Sequence, residues 1–153
     1  MYKIMFVCHG NICRSPMAEF MFRDMTQKLG RGAEFEIASS AVSSETVWNG
    51  KGSPVYPPAK AMLKSVGISC EGKFSQVLTA ADGEKYDLFL CMDDDNVRRA
   101  LAILGEKYAD KCKKLLTYAG ENGDVADPWY TRDFNATYQD IKRSLDGLIK
   151  QLQ

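Results

Sequence analysis

Short apolar runs recur along the chain and indicate buried strands. Residues 3–7 (KIMFV) are mostly apolar and are followed by a turn-like stretch, so they predict a strand. Residues 86–92 (YDLFLCM) are the clearest further example, and residues 35–42 alternate well enough to predict another strand. A weaker run over residues 114–117 predicts a fourth strand.

Segments with apolar residues at helical spacing lie between these runs. The first helix is predicted to begin at Ser15-Pro16, because serine is a good N-cap and proline fits the first helical position. It is predicted to end at Gly30, since glycine commonly terminates helices. Three more helices are predicted over residues 59–66, 93–104 and 135–152.

Strands and helices therefore alternate along the chain, and this order is typical of a parallel sheet covered by helices on both faces. We predict a single-domain α/β fold for residues 1–153, with a four-stranded parallel sheet and helices on both faces. Two long loops, over residues 43–58 and 119–133, interrupt the alternation. Loops of that length in compact domains are often functional.

The charge balance and the length of the apolar runs argue against two classes of partner. Lys plus Arg and Asp plus Glu number 20 each, so the formal net charge is zero. A general nucleic-acid binder needs a basic face to neutralise phosphates, and no apolar run approaches the ~20 residues of a membrane span. We therefore expect neither nucleic acid nor a membrane as a partner.

The five cysteines are an odd number with no pattern of pairs. This is typical of reduced thiols in a cytosolic protein, so a cytoplasmic location is expected. The single histidine, His9, excludes zinc sites built on several histidines, and Cys8 and Cys13 lack the two-residue spacing of zinc knuckles. We expect no metal and no other cofactor.

The segment after the first strand carries the strongest candidate chemistry. Residues 8–15 have the sequence CHGNICRS, so the strand delivers Cys8, a five-residue loop follows, and Arg14-Ser15 begins a helix. Inward-facing backbone N–H groups and a helix N-terminus form a positive cup for a tetrahedral oxyanion. Arg14 adds a planar fork that grips two oxygens. Such a cup stabilises a Cys8 thiolate at its base, and a thiolate against bound phosphate is an in-line nucleophile.

The same residues carry a resemblance to a known family. Residues 8–16, CHGNICRSP, resemble the signature of low-molecular-weight protein tyrosine phosphatases, and residues 127–130, DPWY, resemble that family's acid loop. Residues 86–93 resemble its third strand, and the similarity runs in order over nearly the whole chain. The resemblance implies an enzyme that hydrolyses phosphotyrosine in proteins and small aryl phosphates, is inhibited by phosphate-like oxyanions and needs no cofactor. We expect a monomer.

The resemblance also implies a role for each site residue. Cys8 attacks phosphorus and forms a phosphocysteine, Arg14 and the loop amides hold the phosphate oxygens, and Asp127 is the general acid and base. Ser15 hydrogen-bonds the thiolate, and Asn11 holds the loop in a strained shape. The residues expected to bind phosphate or support the loop are His9, Gly10, Asn11, Ile12, Cys13 and Ser15.

Aromatic residues in the two long loops are candidate walls of a slot for a flat aryl phosphate, namely Trp48, Trp129 and Tyr130. Ordinary partial burial is the alternative, above all for Trp48, whose loop departs from the shorter form in many relatives. His9 is expected at the rim, because neighbours in a loop point in different directions. A catalytic Cys8–His9 dyad is the alternative.

Two more interpretations concern cysteine and aspartate side chains. Cys13 is a candidate redox partner that captures an oxidised Cys8 as a disulfide, which the resemblance supports, and packing beneath the loop is the alternative. The run Asp93-Asp94-Asp95 suggests a metal site, but its position at a helix start favours capping.

Three other functions fit parts of the sequence. A thioredoxin-coupled arsenate reductase needs two further cysteines several residues apart, whereas the twenty residues after Cys91 contain none. Protein-arginine phosphatases tend to have a small polar residue where Ile12 stands and lack the double aromatic Trp129-Tyr130, so phosphotyrosine is favoured. The residues whose joint presence argues against a phosphate-binding module without turnover are Cys8, Arg14 and Asp127.

Overall fold

Four parallel strands form one sheet in the computed structural model, which describes residues 1–152. The strands are β1 (Tyr2–Cys8), β2 (Phe35–Ala41), β3 (Leu88–Cys91) and β4 (Cys112–Lys114). They lie in the order β2-β1-β3-β4, and all their pairings are parallel. The predicted single-domain α/β fold with a four-stranded parallel sheet is therefore confirmed.

Helices connect the strands and pack on both faces of the sheet. The α-helices are α1 (Arg14–Lys28), α2 (Pro57–Ser65), α3 (Asp82–Lys85), α4 (Asp94–Leu104), α5 (Pro128–Thr131) and α6 (Phe134–Gln151). Short 3-10 helices cover Gly32–Glu34, Glu106–Lys111 and Leu115–Ala119. None of the helices in the described part of the chain is long and apolar enough to cross a membrane.

Two separate cores explain why β1 is apolar without alternation. Ile4 and Phe6 pack on one face with residues of α1, α2 and α6, while Met5 and Val7 pack on the other with residues of α4. Successive side chains of a strand point to opposite faces, and helices here cover both faces, so every position of the strand from Ile4 to Cys8 is buried.

Three element predictions are corrected by the structure. The fourth strand is predicted at 114–117 but ends at Lys114, because it pairs only with the last three residues of the four-residue strand β3. Leu115 and Leu116 then continue into a 3-10 helix and remain buried. The predicted loop over 119–133 contains the short helix α5, and α3 is not predicted at all.

The predicted start of α1 also differs. The helix begins at Arg14, and Cys13 precedes it without a side-chain cap, so Ser15 is not the N-cap. The Ser15 hydroxyl instead contacts the sulfur of Cys8. The contact lies at the edge of the sheet where the carboxyl ends of the parallel strands meet. Ligands of α/β sheets bind at this edge, so we examine it for the functional site.

Candidate active site

A loop of five residues joins the end of β1 to the start of α1. Cys8 is the last residue of the strand, and Arg14 is the first of the helix. Asn11 in the loop has φ of 58°, in the left-handed region that non-glycine residues rarely adopt. We call residues 8–15 the phosphate loop.

The side chain of Asn11 holds the loop in this conformation. Its amide nitrogen donates hydrogen bonds to Ser15 Oγ at 2.8 Å and to Ser39 Oγ at 2.9 Å. Its amide oxygen accepts from the backbone N–H of Gln76 at 3.1 Å. Asn11 is buried, and its amide oxygen and both amide hydrogens have the protein partners that a buried polar group requires. These bonds offset the cost of the left-handed backbone.

A buried carboxylate lies at the far end of this network. Glu19 of α1 accepts a hydrogen bond from Ser39 Oγ at 2.5 Å. The carboxylate is balanced by Lys73 at 3.3 Å and Arg23 at 2.8 Å, as a buried charge requires. An ionised carboxylate accepts hydrogen bonds and cannot donate them, so the Ser39 proton points to Glu19.

The hydrogen bond from Ser39 to Glu19 determines which atom donates in each of the other bonds of the network. Since Ser39 donates to Glu19, its oxygen accepts from Asn11, whose second amide hydrogen goes to Ser15. The single proton of Ser15 is then free for Cys8 Sγ, 3.0 Å away. The backbone N–H of Asn11 donates to the same sulfur at 3.2 Å. Cys8 Sγ therefore faces two donors, an arrangement that stabilises a thiolate.

Arg14 is buried and held in one orientation. Its Nη1 donates to Asp93 Oδ2 at 2.8 Å and to the carbonyl oxygen of Val125 at 2.9 Å, and its Nη2 lies 3.5 Å from Asp127 Oδ2. Burial alone would lower the pKa of Arg14. The negative charges of Cys8, Asp93 and Asp127 outweigh it and raise that pKa, so the guanidinium keeps its charge.

Asp93 combines two roles. One carboxylate oxygen caps α4 by accepting from the backbone N–H of Asn96 at 2.7 Å, which confirms the capping interpretation. The other oxygen orients Arg14. Within residues 1–152, no group of three or more His, Cys, Asp or Glu side chains is placed to hold a metal ion.

Asp127 precedes α5 and faces Arg14. Its Oδ1 accepts from the backbone N–H of Trp129 at 3.0 Å, and its Oδ2 is the oxygen nearest to Arg14. About a quarter of the side chain is exposed. The carboxylate is thus fixed by a helix cap, as the Asp-Pro sequence allows, while one oxygen remains directed into the site.

A cavity of about 430 Å³ opens above the phosphate loop, a size typical of small-molecule sites. Its lining combines the polar residues of the loop, two acidic residues and two aromatic rings. The lining residues are Cys8, His9, Gly10, Ile12, Cys13, Arg14, Glu45, Thr46, Asp127, Trp129 and Tyr130. The predicted nucleophile, phosphate clamp and acid therefore share one cavity.

The aromatic residues separate into two groups. Trp129 lines the cavity and packs on Tyr56, with 4.8 Å between the ring centroids, and Arg132 lies over both rings. Tyr130 lines the cavity and is largely exposed. Trp48 lies outside it, because its backbone pairs with Lys51 in a turn that leaves the ring 75% exposed.

Thr46 and Glu45 take the place predicted for Trp48. Thr46 Oγ1 donates to the carbonyl oxygen of Gly10 at 2.8 Å, which ties the first long loop to the phosphate loop. His9 lies at the rim, where its Nε2 is 2.9 Å from Glu45 Oε2.

Cys13 lines the cavity but is largely buried. Burial first, and then the negative charges of Cys8 and Asp127, raise the pKa of Cys13 to about 12. At neutral pH the group is a thiol. The three remaining cysteines, whose pKa values are also raised by burial, are Cys70, Cys91 and Cys112.

Several residues of the site were not found from the sequence. Asp93 follows β3 at the edge where Cys8 ends β1, and this parallel placement is a usable signal. Ser39 is a polar residue in a buried strand, which is a weaker signal. The positions of Glu19, Glu45 and Thr46 depend on tertiary contacts that no local pattern encodes.

The chain is similar to proteins of one known family. The family model for low molecular weight phosphotyrosine protein phosphatase matches residues 3–153. The chain is 32% identical to the low molecular weight protein-tyrosine-phosphatase YfkJ of Bacillus subtilis, over 100% of this chain and 97% of the relative. The YfkJ crystal structure has a TM-score of 0.93, with 100% of this chain and 95% of that one covered.

Two further solved structures bear on the ligand. Wzb of Vibrio vulnificus, in complex with benzylphosphonate, has a TM-score of 0.84 at 27% identity, covering 98% of each chain. The arginine phosphatase YwlE of Bacillus subtilis, in a mutant with a phosphorylated active-site serine, has a TM-score of 0.85 at 30% identity. The match covers 98% of this chain and 95% of that one.

Proposed function

The chain belongs to the low molecular weight phosphotyrosine protein phosphatase family and is a protein tyrosine phosphatase, and we propose that Cys8, Arg14 and Asp127 carry its chemistry. The observation that supports this assignment is their placement in one cavity, with Cys8 Sγ facing two hydrogen-bond donors. Residues 1–153 then act as one phosphatase domain.

Phosphate would bind in the phosphate loop. Because α1 begins at Arg14, the backbone N–H groups of Arg14 and Ser15 have no intrahelical acceptors and are available to an oxyanion. The loop residues that would supply backbone N–H groups or support are His9, Gly10, Asn11, Ile12, Cys13 and Ser15. Arg14 keeps its contact with Asp93 while its second nitrogen turns to the phosphate oxygens.

In the first step the Cys8 thiolate attacks phosphorus in line with the leaving oxygen. A sulfur–phosphorus bond forms, the bond from phosphorus to the phenolic oxygen breaks, and its electron pair stays on that oxygen. Protonated Asp127 transfers its proton to this oxygen, so a neutral phenol leaves. The products of the step are phosphocysteine and an ionised Asp127.

In the second step water replaces the sulfur. Ionised Asp127 accepts a proton from the water while the water oxygen attacks phosphorus. The sulfur–phosphorus bond breaks, and its electron pair returns to Cys8 as a thiolate. Ser15 stabilises this thiolate by the hydrogen bond that the network from Glu19 directs to it. Inorganic phosphate leaves, and the starting state is restored.

The proposed substrates are phosphotyrosine in proteins and small aryl phosphates. The flat walls of Trp129 and Tyr130 suit an aryl ring, and the benzylphosphonate complex of Wzb supports a ligand of this chemistry. Phosphate-like oxyanions would act as inhibitors, because they fill the same loop. We further propose a cytoplasmic monomer that uses no cofactor.

Phosphoarginine is the second candidate substrate, because YwlE is a structural neighbour described as an arginine phosphatase. Ile12 and Trp129 line the cavity here with apolar surface, which favours a phenyl ring over a charged guanidinium. We expect kcat/KM for a phosphotyrosine peptide to exceed that for the matched phosphoarginine peptide by at least about tenfold. Phosphate release from both peptides measures this ratio, and a ratio below one would assign the chain to phosphoarginine.

Cys13 is the proposed redox partner of Cys8. Peroxide oxidises the Cys8 thiolate to a sulfenic acid, Cys13 attacks that sulfur, water leaves and a disulfide forms. Oxidation also removes the Cys8 charge that helps to raise the pKa of Cys13. The attacking form is the thiolate, so capture should accelerate as pH rises.

After equal peroxide exposure followed by dithiothreitol, the wild type should recover most of its activity. The Cys13→Ser variant should recover about half of that or less, because the sulfenic acid of Cys8 is oxidised further. Cys70→Ser is the matched control, since Cys70 is also buried but does not line the cavity. Equal recovery in wild type and Cys13→Ser would leave Cys13 with a packing role.

A further inference from the structure

Glu45 is an acidic residue on the wall of a cavity that binds anions. It lines the cavity together with the phosphate loop, and 71% of its side chain is exposed. A carboxylate at this position repels a phosphate dianion, so it gives no advantage in binding the phosphate itself. The charge is instead positioned at the mouth, where the peptide around a phosphotyrosine must lie.

Three contacts hold Glu45 and its neighbour Thr46 at the mouth. Its backbone N–H donates to Ser43 Oγ at 3.1 Å, and its neighbour Thr46 is tied to the carbonyl oxygen of Gly10 at 2.8 Å. Oε2 of Glu45 lies 2.9 Å from Nε2 of His9. Most of the side chain is exposed, so the carboxylate is available to a group of the substrate.

Two cations lie near the mouth, one of them buried and the other exposed. Arg14 is buried against Asp93 and Asp127, and Arg132 lies over the rings of Tyr56 and Trp129. Among the charged residues that line the cavity, Glu45 has the most exposed side chain, and Arg132 does not line it. Tyr130, which is 81% exposed, adds an aromatic face on the same cavity, and such a face also attracts cations.

We propose that Glu45 makes the enzyme prefer phosphotyrosine flanked by Lys or Arg over phosphotyrosine flanked by acidic residues. This inference rests on the proposed function of the cavity and adds the substrate class to it. The cation of the flanking residue pairs with the Glu45 carboxylate and lies beside the ring of Tyr130. An acidic flanking residue meets the same carboxylate with like charge.

The test uses three phosphotyrosine peptides that differ only in the two residues adjoining the phosphotyrosine, which are both lysine, both alanine or both glutamate. Each kcat/KM is divided by that of phenyl phosphate with the same variant, which cancels changes in the chemical steps. We expect the wild type to prefer the lysine peptide over the glutamate peptide by about fivefold at low salt. The preference should shrink at 0.5 M salt, because exposed charges are screened.

Substitutions at Glu45 test the assignment directly. Glu45→Gln should bring the ratio near one, and Glu45→Lys should reverse it. Glu71→Gln and Glu71→Lys are matched controls, because Glu71 is an equally exposed glutamate that pairs with Lys60 and does not line the cavity. A wild type without preference, or a preference that persists in Glu45→Lys, would overturn the inference while leaving the phosphatase assignment intact. Absence of turnover with phenyl phosphate and all peptides would overturn the proposed function.

Discussion

The Cys8→Ser variant is expected to lose turnover of an aryl phosphate by at least about a thousandfold, because a serine hydroxyl is not ionised at neutral pH and is a weak nucleophile. The phosphate loop itself should persist. Asn11 is held by Ser15, Ser39 and Gln76, and none of these bonds involves the sulfur. The variant should therefore bind inorganic phosphate without turning over substrate.

Two measurements separate these effects. Steady-state kcat reports the loss of the nucleophile, and titration calorimetry with inorganic phosphate reports the integrity of the loop. Cys112→Ser is the matched control, because Cys112 is a buried cysteine at the start of β4 and does not line the cavity. Retention of more than about one per cent of wild-type kcat in Cys8→Ser would exclude Cys8 as the nucleophile.

The Asp127→Asn variant is expected to slow phenyl phosphate hydrolysis by about 10²–10⁴-fold, because the phenolate then leaves without a proton. A highly activated aryl phosphate, whose leaving group needs no proton, should lose far less. Asparagine is a good N-cap, so the start of α5 should be preserved. Arg14 also keeps its closer partner, Asp93.

The measurement is kcat for a series of aryl phosphates of graded leaving-group acidity in wild type and Asp127→Asn. The dependence on leaving group should be steep only in the variant. Asp124→Asn is the matched control, since Asp124 pairs with Lys114 and does not line the cavity. Equal losses with poor and good leaving groups would show that Asp127 is not the acid.

Most of the fold could be predicted from local sequence patterns. The uninterrupted apolar run of β1 requires cover on both faces, and the two cores provide it. The predictions failed where side-chain contacts, and not local propensity, decided the local structure. Ser15 has the chemistry of an N-cap, yet its hydroxyl bonds Cys8 and Asn11, because the loop between them curls back on itself.

The part of the site that lies in one continuous segment could be predicted from the sequence. The phosphate loop is one segment, so its strand, loop and helix are visible in the sequence pattern. The partners that orient it come from distant segments, with Asp93 lying 79 residues beyond Arg14. Trp48 illustrates the same limit, because it pairs with Lys51 in an exposed turn and does not line the cavity that the nearby residues Glu45 and Thr46 line.

The shared carboxylate of Asp93 links two parts of the molecule thermodynamically. One oxygen caps the first turn of α4, and the other orients the guanidinium of Arg14. Displacement of the carboxylate therefore weakens the helix cap and the Arg14 contact together. Coupling of this kind is reciprocal. An oxyanion that immobilises Arg14 must also protect the beginning of α4 against local opening, and any molecule that stabilises that exposed turn strengthens oxyanion binding in return.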